Sequence, residues 1–142
     1  MKKTLMTLCI VTGLMAGCTT TPEGKTIPDV PRIAAITRET ATIGTQEALL
    51  RQPKLKEKFI LVAAQLGVLE TQGDITVEKM LYIISQLPVD KLQSPNASLA
   101  ISSARLVVAA AGWSSVTVVR DEQLRPVVTA LREGLVAGGA VQ

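Results

Sequence analysis

The chain of 142 residues contains no histidine. Its chemistry must therefore come from cysteine, hydroxyl, lysine and carboxylate groups. The missing imidazole removes the usual general base, the partner of a serine nucleophile and the commonest metal ligand. Ser102 and Ser103 fall in an alanine-rich stretch with no G-x-S-x-G turn around them. A serine–lysine pair with Lys79 or Lys91 is the remaining nucleophilic arrangement, and nothing in the sequence positions it. Residues 68–79 invite comparison with a calcium loop, but with Gly73 at the sixth place the first and last ligand places fall on Val68 and Lys79. Both places need a carboxylate, so the comparison fails. Glu70, Asp74 and Glu78 are read as solvated turn charges, the last two favourable near a helix N-terminus. The expectation is a protein that is not an enzyme, with no cofactor and no metal.

Candidate binding residues are few. Lys54, Lys56 and Lys58 form a basic cluster beside Arg51, suited to phosphate head groups or an anionic envelope polymer. A plain solvated face explains the same residues. Trp113, the sole tryptophan, suits a partner contact, since interface anchors are rich in Trp, although a residue of this kind is more often a cap over one end of the core. Leu99 to Val119 is mostly apolar, but it holds Arg105 and its apolar residues are largely Ala and Val. An Arg at a span's centre costs roughly 2.5–3.5 kcal/mol, so the reading is a buried helix with Arg105 at the surface or paired with an acid such as Glu133.

Cys18 carries the most specific spacing. Lys2 and Lys3 are followed by an uncharged apolar stretch, Thr4 to Leu14, and then by Ala16 and Gly17. This is the basic, apolar and small-residue order of a secretory signal, and it falls short of the about 20 apolar residues a membrane span needs. Leu14-Met15-Ala16-Gly17-Cys18 resembles a bacterial lipobox, with Met15 where Leu, Val or Ile is usual. The resemblance covers residues 1–18. It implies cleavage before Cys18, diacylglycerol on its thiol and an acylated new amine, making a stable lipid anchor in a membrane. Thr19, in place of an Asp, implies delivery to the periplasmic face of the outer membrane.

Residues 1–17 take Lys2, Lys3 and Cys9 with them. The remaining 125 residues hold 13 basic and 12 acidic side chains and only Cys18 as cysteine. No internal disulfide is available, so the core must come from packing alone. Near-neutral charge without interleaved aromatics excludes a nucleic-acid surface.

The domain organisation expected is a signal peptide at 1–17, a lipidated flexible tether at 18–31 and a helical bundle at 32–142. Residues 19–31 hold three prolines, four threonines and a glycine and are read as unstructured, reaching roughly 40 Å when extended. Residues 32–51 carry Ile36, Ile43 and Leu50 at seven-residue spacing, with Ala34, Ala41 and Ala48 as a second, small stripe. Pro53 opens a second helix to about residue 71, with Leu55, Phe59, Val62, Leu66 and Leu69 on one face. Thr76 caps a third, stapled by Ile75 and Met80, with Ile83, Ile84 and Leu87 inward and Pro88 ending it. Ser94-Pro95 starts a fourth, to about Ala111. Trp113 to Val119 reads as a loop or frayed helix. Asp121 opens a last helix with Leu124, Val127, Val128, Leu131 and Leu135 inward and Pro126 at a kink or at the start of its regular part. The tail GGAVQ is expected to fray. The fold class is thus all-α, a small antiparallel four- to five-helix bundle.

The function expected is a non-catalytic binding or structural module of the cell envelope, with an envelope protein or peptidoglycan as partner. Residues 74–88 and 124–135 resemble small helical lipoproteins carried by phages, which implies a role in superinfection exclusion or lysis. The competing class is a small histidine-independent wall hydrolase using Ser or carboxylates.

Overall fold

Asp29 and Pro31 start the first helix. Asp29 Oδ1 accepts a hydrogen bond from the Arg32 amide at 3.2 Å, and Pro31 occupies an early position where no N–H is needed. In a computed structural model of the chain, the described residues are 18–20, 22, 26–71, 75–88, 91 and 121–141. Helix α1 spans Val30–Arg51. Ahead of it, strand β1 (Cys18–Thr20) pairs antiparallel with strand β2 (Thr26–Pro28), Cys18 standing opposite Pro28. The segment read as an unstructured tether therefore has its ends paired, and the helix begins two residues earlier than expected. Threonine and isoleucine suit extended backbone, and the Asp29 cap fixes the helix start.

Pro53–Leu55 makes one 3-10 turn before helix α2 (Lys56–Thr71). Phe59, Val62, Leu66 and Leu69 are buried as the spacing requires, and Leu55 packs against the same core. Residues 72–74, with Gly73, lie outside the described residues. Helix α3 spans Val77–Ser85; Thr76 Oγ1 accepts from the Lys79 amide at 3.2 Å, and Ile75 and Met80 are both buried. Helix α4 spans Asp121–Ala137 and runs through Pro126, which is exposed. Its five expected inward residues, Leu124, Val127, Val128, Leu131 and Leu135, are all buried. The molecule is an all-α bundle, with four α-helices among the described residues. The expected helix at 95–111 and residues 113–119 lie outside them.

Helix α4 is the centre of the packing, with its largest contacts on α1 and α2. Gly134 lies against Arg38 and Ala41, and Gly138 against Thr42 and Thr45, so α4 and α1 run in the same direction. Gly67 and Glu70 of α2 meet Arg132, and Glu70 also meets Arg125, so α4 and α2 run antiparallel. Antiparallel order thus holds for α2 and α4, whereas the principal neighbour of α1 is the parallel last helix.

This choice of neighbour decides between the two stripes of α1, and Ala41 and Ala48 of the small one are buried. Ile43 is 49% exposed and Leu50 82% exposed, and Ile36 is only partly buried. The buried face is Ile33, Thr37, Ala41, Gly44, Thr45 and Ala48. Small side chains here, opposite glycines, let two backbones approach closely. A Cβ added at Gly134 would stand 2.5 Å from the Arg38 carbonyl oxygen and 2.7 Å from Ala41 Cβ. Close approach extends dispersion contacts along both helices, and this compensates for the area that bulky side chains would bury.

The tail does not fray as expected. The Ala140 amide donates to the Leu135 carbonyl at 3.0 Å and the Gly139 amide to Val136 at 3.0 Å. These are the two bonds of a Schellman cap, and Gly139 supplies the positive φ of 115° that the turn requires. Ala140 is buried.

Candidate functional site

The parallel pairing brings the C-terminal ends of α1 and α4 together, with the start of α2 beside them. Each C-terminus carries partial negative charge from unpaired carbonyls. Cations collect at this end. Arg51 stands in the last turn of α1, its Nη2 3.6 Å from Glu47 Oε1. Lys54, Lys56 and Lys58 are all exposed. Gln52 Nε2 donates to the Lys91 carbonyl at 3.0 Å, which places Lys91, also exposed, at the same end. Five cations therefore share the region with the carboxylates of Glu47 and Glu57, while Asp90 lies outside the described residues. Lys54, Lys56 and Lys58, taken from the sequence as a cluster, stand on the 3-10 turn and the first turn of α2, and the fold adds Lys91, which is distant in sequence and carries no local signal.

A groove of about 460 Å³ lies at this end, with Lys56 the one of these cations that lines it. It is lined by Gln46, Leu49 and Leu50 of α1, by Pro53 and Lys56, and by Gly138 and Gly139 of the capping turn. The two glycines differ in what a side chain would meet. A Cβ on Gly138 would collide with Thr45, and one on Gly139 would stand 3.3 Å from Leu49 Cδ1. Leu50, of the seven-residue stripe, exposes its apolar side chain here.

A second groove, of about 520 Å³, lies between α2 and α3. Val68 and Tyr82 flank it and are more than half exposed. Gln65 Oε1 is buried there without a hydrogen-bond partner among the described residues.

Glu70 is not the solvated turn charge expected. Its side chain is 15% exposed, and Arg132 Nε donates to its Oε2 at 2.6 Å. Arg125 Nη1 donates to the Glu70 backbone carbonyl. Two guanidinium groups of α4 thus clasp the C-terminal turn of α2, where carbonyls lack helical partners. Glu133, suggested as a partner for Arg105, lies 3.6 Å from Arg38 Nε across the α1–α4 contact.

Trp113, Ser102, Ser103 and Arg105 lie outside the described residues. Among the described residues no group of three acidic or cysteine side chains is placed to hold a metal ion. No helix among them is long and apolar enough to cross a membrane. No protein-family model, curated protein or solved structure matches the chain.

Proposed function

We propose that the chain is a lipid-anchored, non-catalytic binding module of a bacterial cell envelope. Residues 1–17 direct export, Cys18 carries the lipid, and Thr19 sends the protein to the periplasmic face of the outer membrane. The observation that carries this reading is the run from Leu14 to Cys18 behind a basic and then apolar leader. The geometry supports it in one respect. Pairing of Cys18 with Pro28 sets the anchoring residue beside the start of α1. The 22 residues of α1 then extend about 33 Å to the basic end. An anchored body oriented along α1 presents its lysines away from its own bilayer.

The test compares the wild-type chain with Cys18→Ser. Wild type is expected to incorporate radiolabelled fatty acid, to partition with membranes and to band with the outer membrane on a sucrose density gradient. Cys18→Ser is expected to take up no label and to lose membrane partitioning. Label-free wild type, or a variant that stays membrane-bound, defeats the proposal.

A further inference from the structure

We propose that the face shared by α1 and α4 binds a second copy of the chain, with the two α1 helices antiparallel and crossing at Ile43. The proposal goes beyond the binding-module reading and does not rest on the lipid anchor.

Three observations carry the proposal. The first is a continuous track along the seam of the parallel pair. Near the start of α1 a groove of about 630 Å³ is lined by Ala34, Ala35, Pro126 and Ala130. The next groove shares Ala35 and Arg38 with it and runs to Ile43 and Ala137. The groove at Gln46, Leu50 and Gly138 follows on the next turn of both helices. One face of the pair is thus indented along the length of α1. A face about 33 Å long and two helices, about 20 Å, wide approaches the about 800 Å² per partner of a stable pair.

The second observation is that knob and hole lie on this face at equal distances from one point. Ile43 is 49% exposed, and Leu50, seven residues after it, is 82% exposed. An equal distance before Ile43, beside the partly buried Ile36, the groove walls are small: Ala34 and Ala35, with Ala130 across the seam. A two-fold axis at Ile43 lays each copy's Leu50 into the other's alanine-lined groove. Such a patch, complementary to itself, is what a two-fold interface requires.

The third observation is the order of charges. Arg38 meets Glu133, and Arg125 is engaged with the end of α2. Among the described residues lining the track, Glu39, Glu122 and Lys56 stand outside any ion pair. Glu122 lies at the end where α1 starts and Lys56 at the end where it finishes. The same axis brings each Glu122 to the other copy's Lys56 and each Glu39 to the other copy's Gln46. A parallel arrangement would set Glu39 against Glu39 and Lys56 against Lys56. A strongly acidic or basic partner finds no match on a face with as many acids as bases.

The experiment co-expresses two full-length copies that differ in a C-terminal tag. One carries a photocrosslinking amino acid at Leu50 or, for comparison, at Tyr82. Crosslinked peptides are sequenced by mass spectrometry. The expected result is an adduct bearing both tags from Leu50 and none from Tyr82, mapping to residues 34–38 or 126–130 of the other copy. Its yield should fall at least threefold in Lys56→Glu and in Glu122→Lys, each placed in both copies, and recover when the two changes are combined. That recovery, with thermal unfolding of each variant, separates lost pairing from lost folding. No two-tag adduct at Leu50, an adduct to residues 49–53 of the other copy, an adduct only to a different protein or to lipid, or indifference to both charge reversals overturns the proposal.

Discussion

Thr37 and Thr45 occupy equivalent places on the buried face of α1, yet their hydroxyls differ. Thr37 Oγ1 donates to the Ile33 carbonyl at 2.8 Å. Thr45 Oγ1 is buried with no hydrogen-bond partner among the described residues, its methyl and Cβ pressed toward Gly138. A buried polar group left unpaired costs about 1–3 kcal/mol, whereas a made bond contributes about 1 kcal/mol. Valine keeps the shape of threonine without the hydroxyl. Thr45→Val is therefore expected to be neutral or to stabilise by up to about 1 kcal/mol, and Thr37→Val to destabilise by about 1 kcal/mol. Urea unfolding monitored by circular dichroism checks both. Equal losses in the two variants would show that Thr45 has a bond partner after all.

At the scale of elements, the question is which face each helix buries. Leu131 of α4 is buried and Leu50 of α1 is exposed. Leu131→Ala is expected to cost about 2–5 kcal/mol, and Leu50→Ala less than about 0.5 kcal/mol. A seven-residue stripe reading of α1 demands a large loss at Leu50, so one pair of melting curves decides between the faces. Helix α2 was legible in the sequence because its bulky residues, Phe59, Val62, Leu66 and Leu69, all share one face. The Thr76 cap and the Ile75–Met80 staple were legible because they are local. Helix α1 was not, since its bulky stripe competes with a small one. The small one wins only because Gly134 and Gly138 lie opposite, and no local pattern announces that pairing. The Schellman turn was missed for a related reason. Two glycines near a chain's end read as fraying unless the buried Ala140 after them is known. The basic cluster at 54–58 was visible in sequence, but the groove beside Lys56 and the place of Lys91 required the fold.

At the scale of the molecule, the described residues are organised around α4, which runs parallel to α1 and antiparallel to α2. The parallel pair adds two helix dipoles in the same sense, which is unfavourable by itself. Cations at the shared C-terminal end offset it, as does α2 lying in the opposite sense. Arg125 and Arg132 fasten α4 to α2, and Arg38 and Glu133 meet between α4 and α1. The largest interfaces of α1 and α2 are both made with α4. Deleting residues 121–142 is thus expected to uncover Phe59 and Ile33 and to abolish cooperative thermal unfolding in calorimetry. A truncated chain that melts in one sharp transition would show that the remaining helices close a core without α4. The placement of α4 also sets the order of events in time. Arg38 and Gly134, in contact, stand more than ninety residues apart in sequence. Closing so long a loop must precede the contacts that reward it, which slows folding. The contacts that α4 makes with α1 are therefore the late ones in folding, and a mutation in them should speed unfolding more than it slows folding.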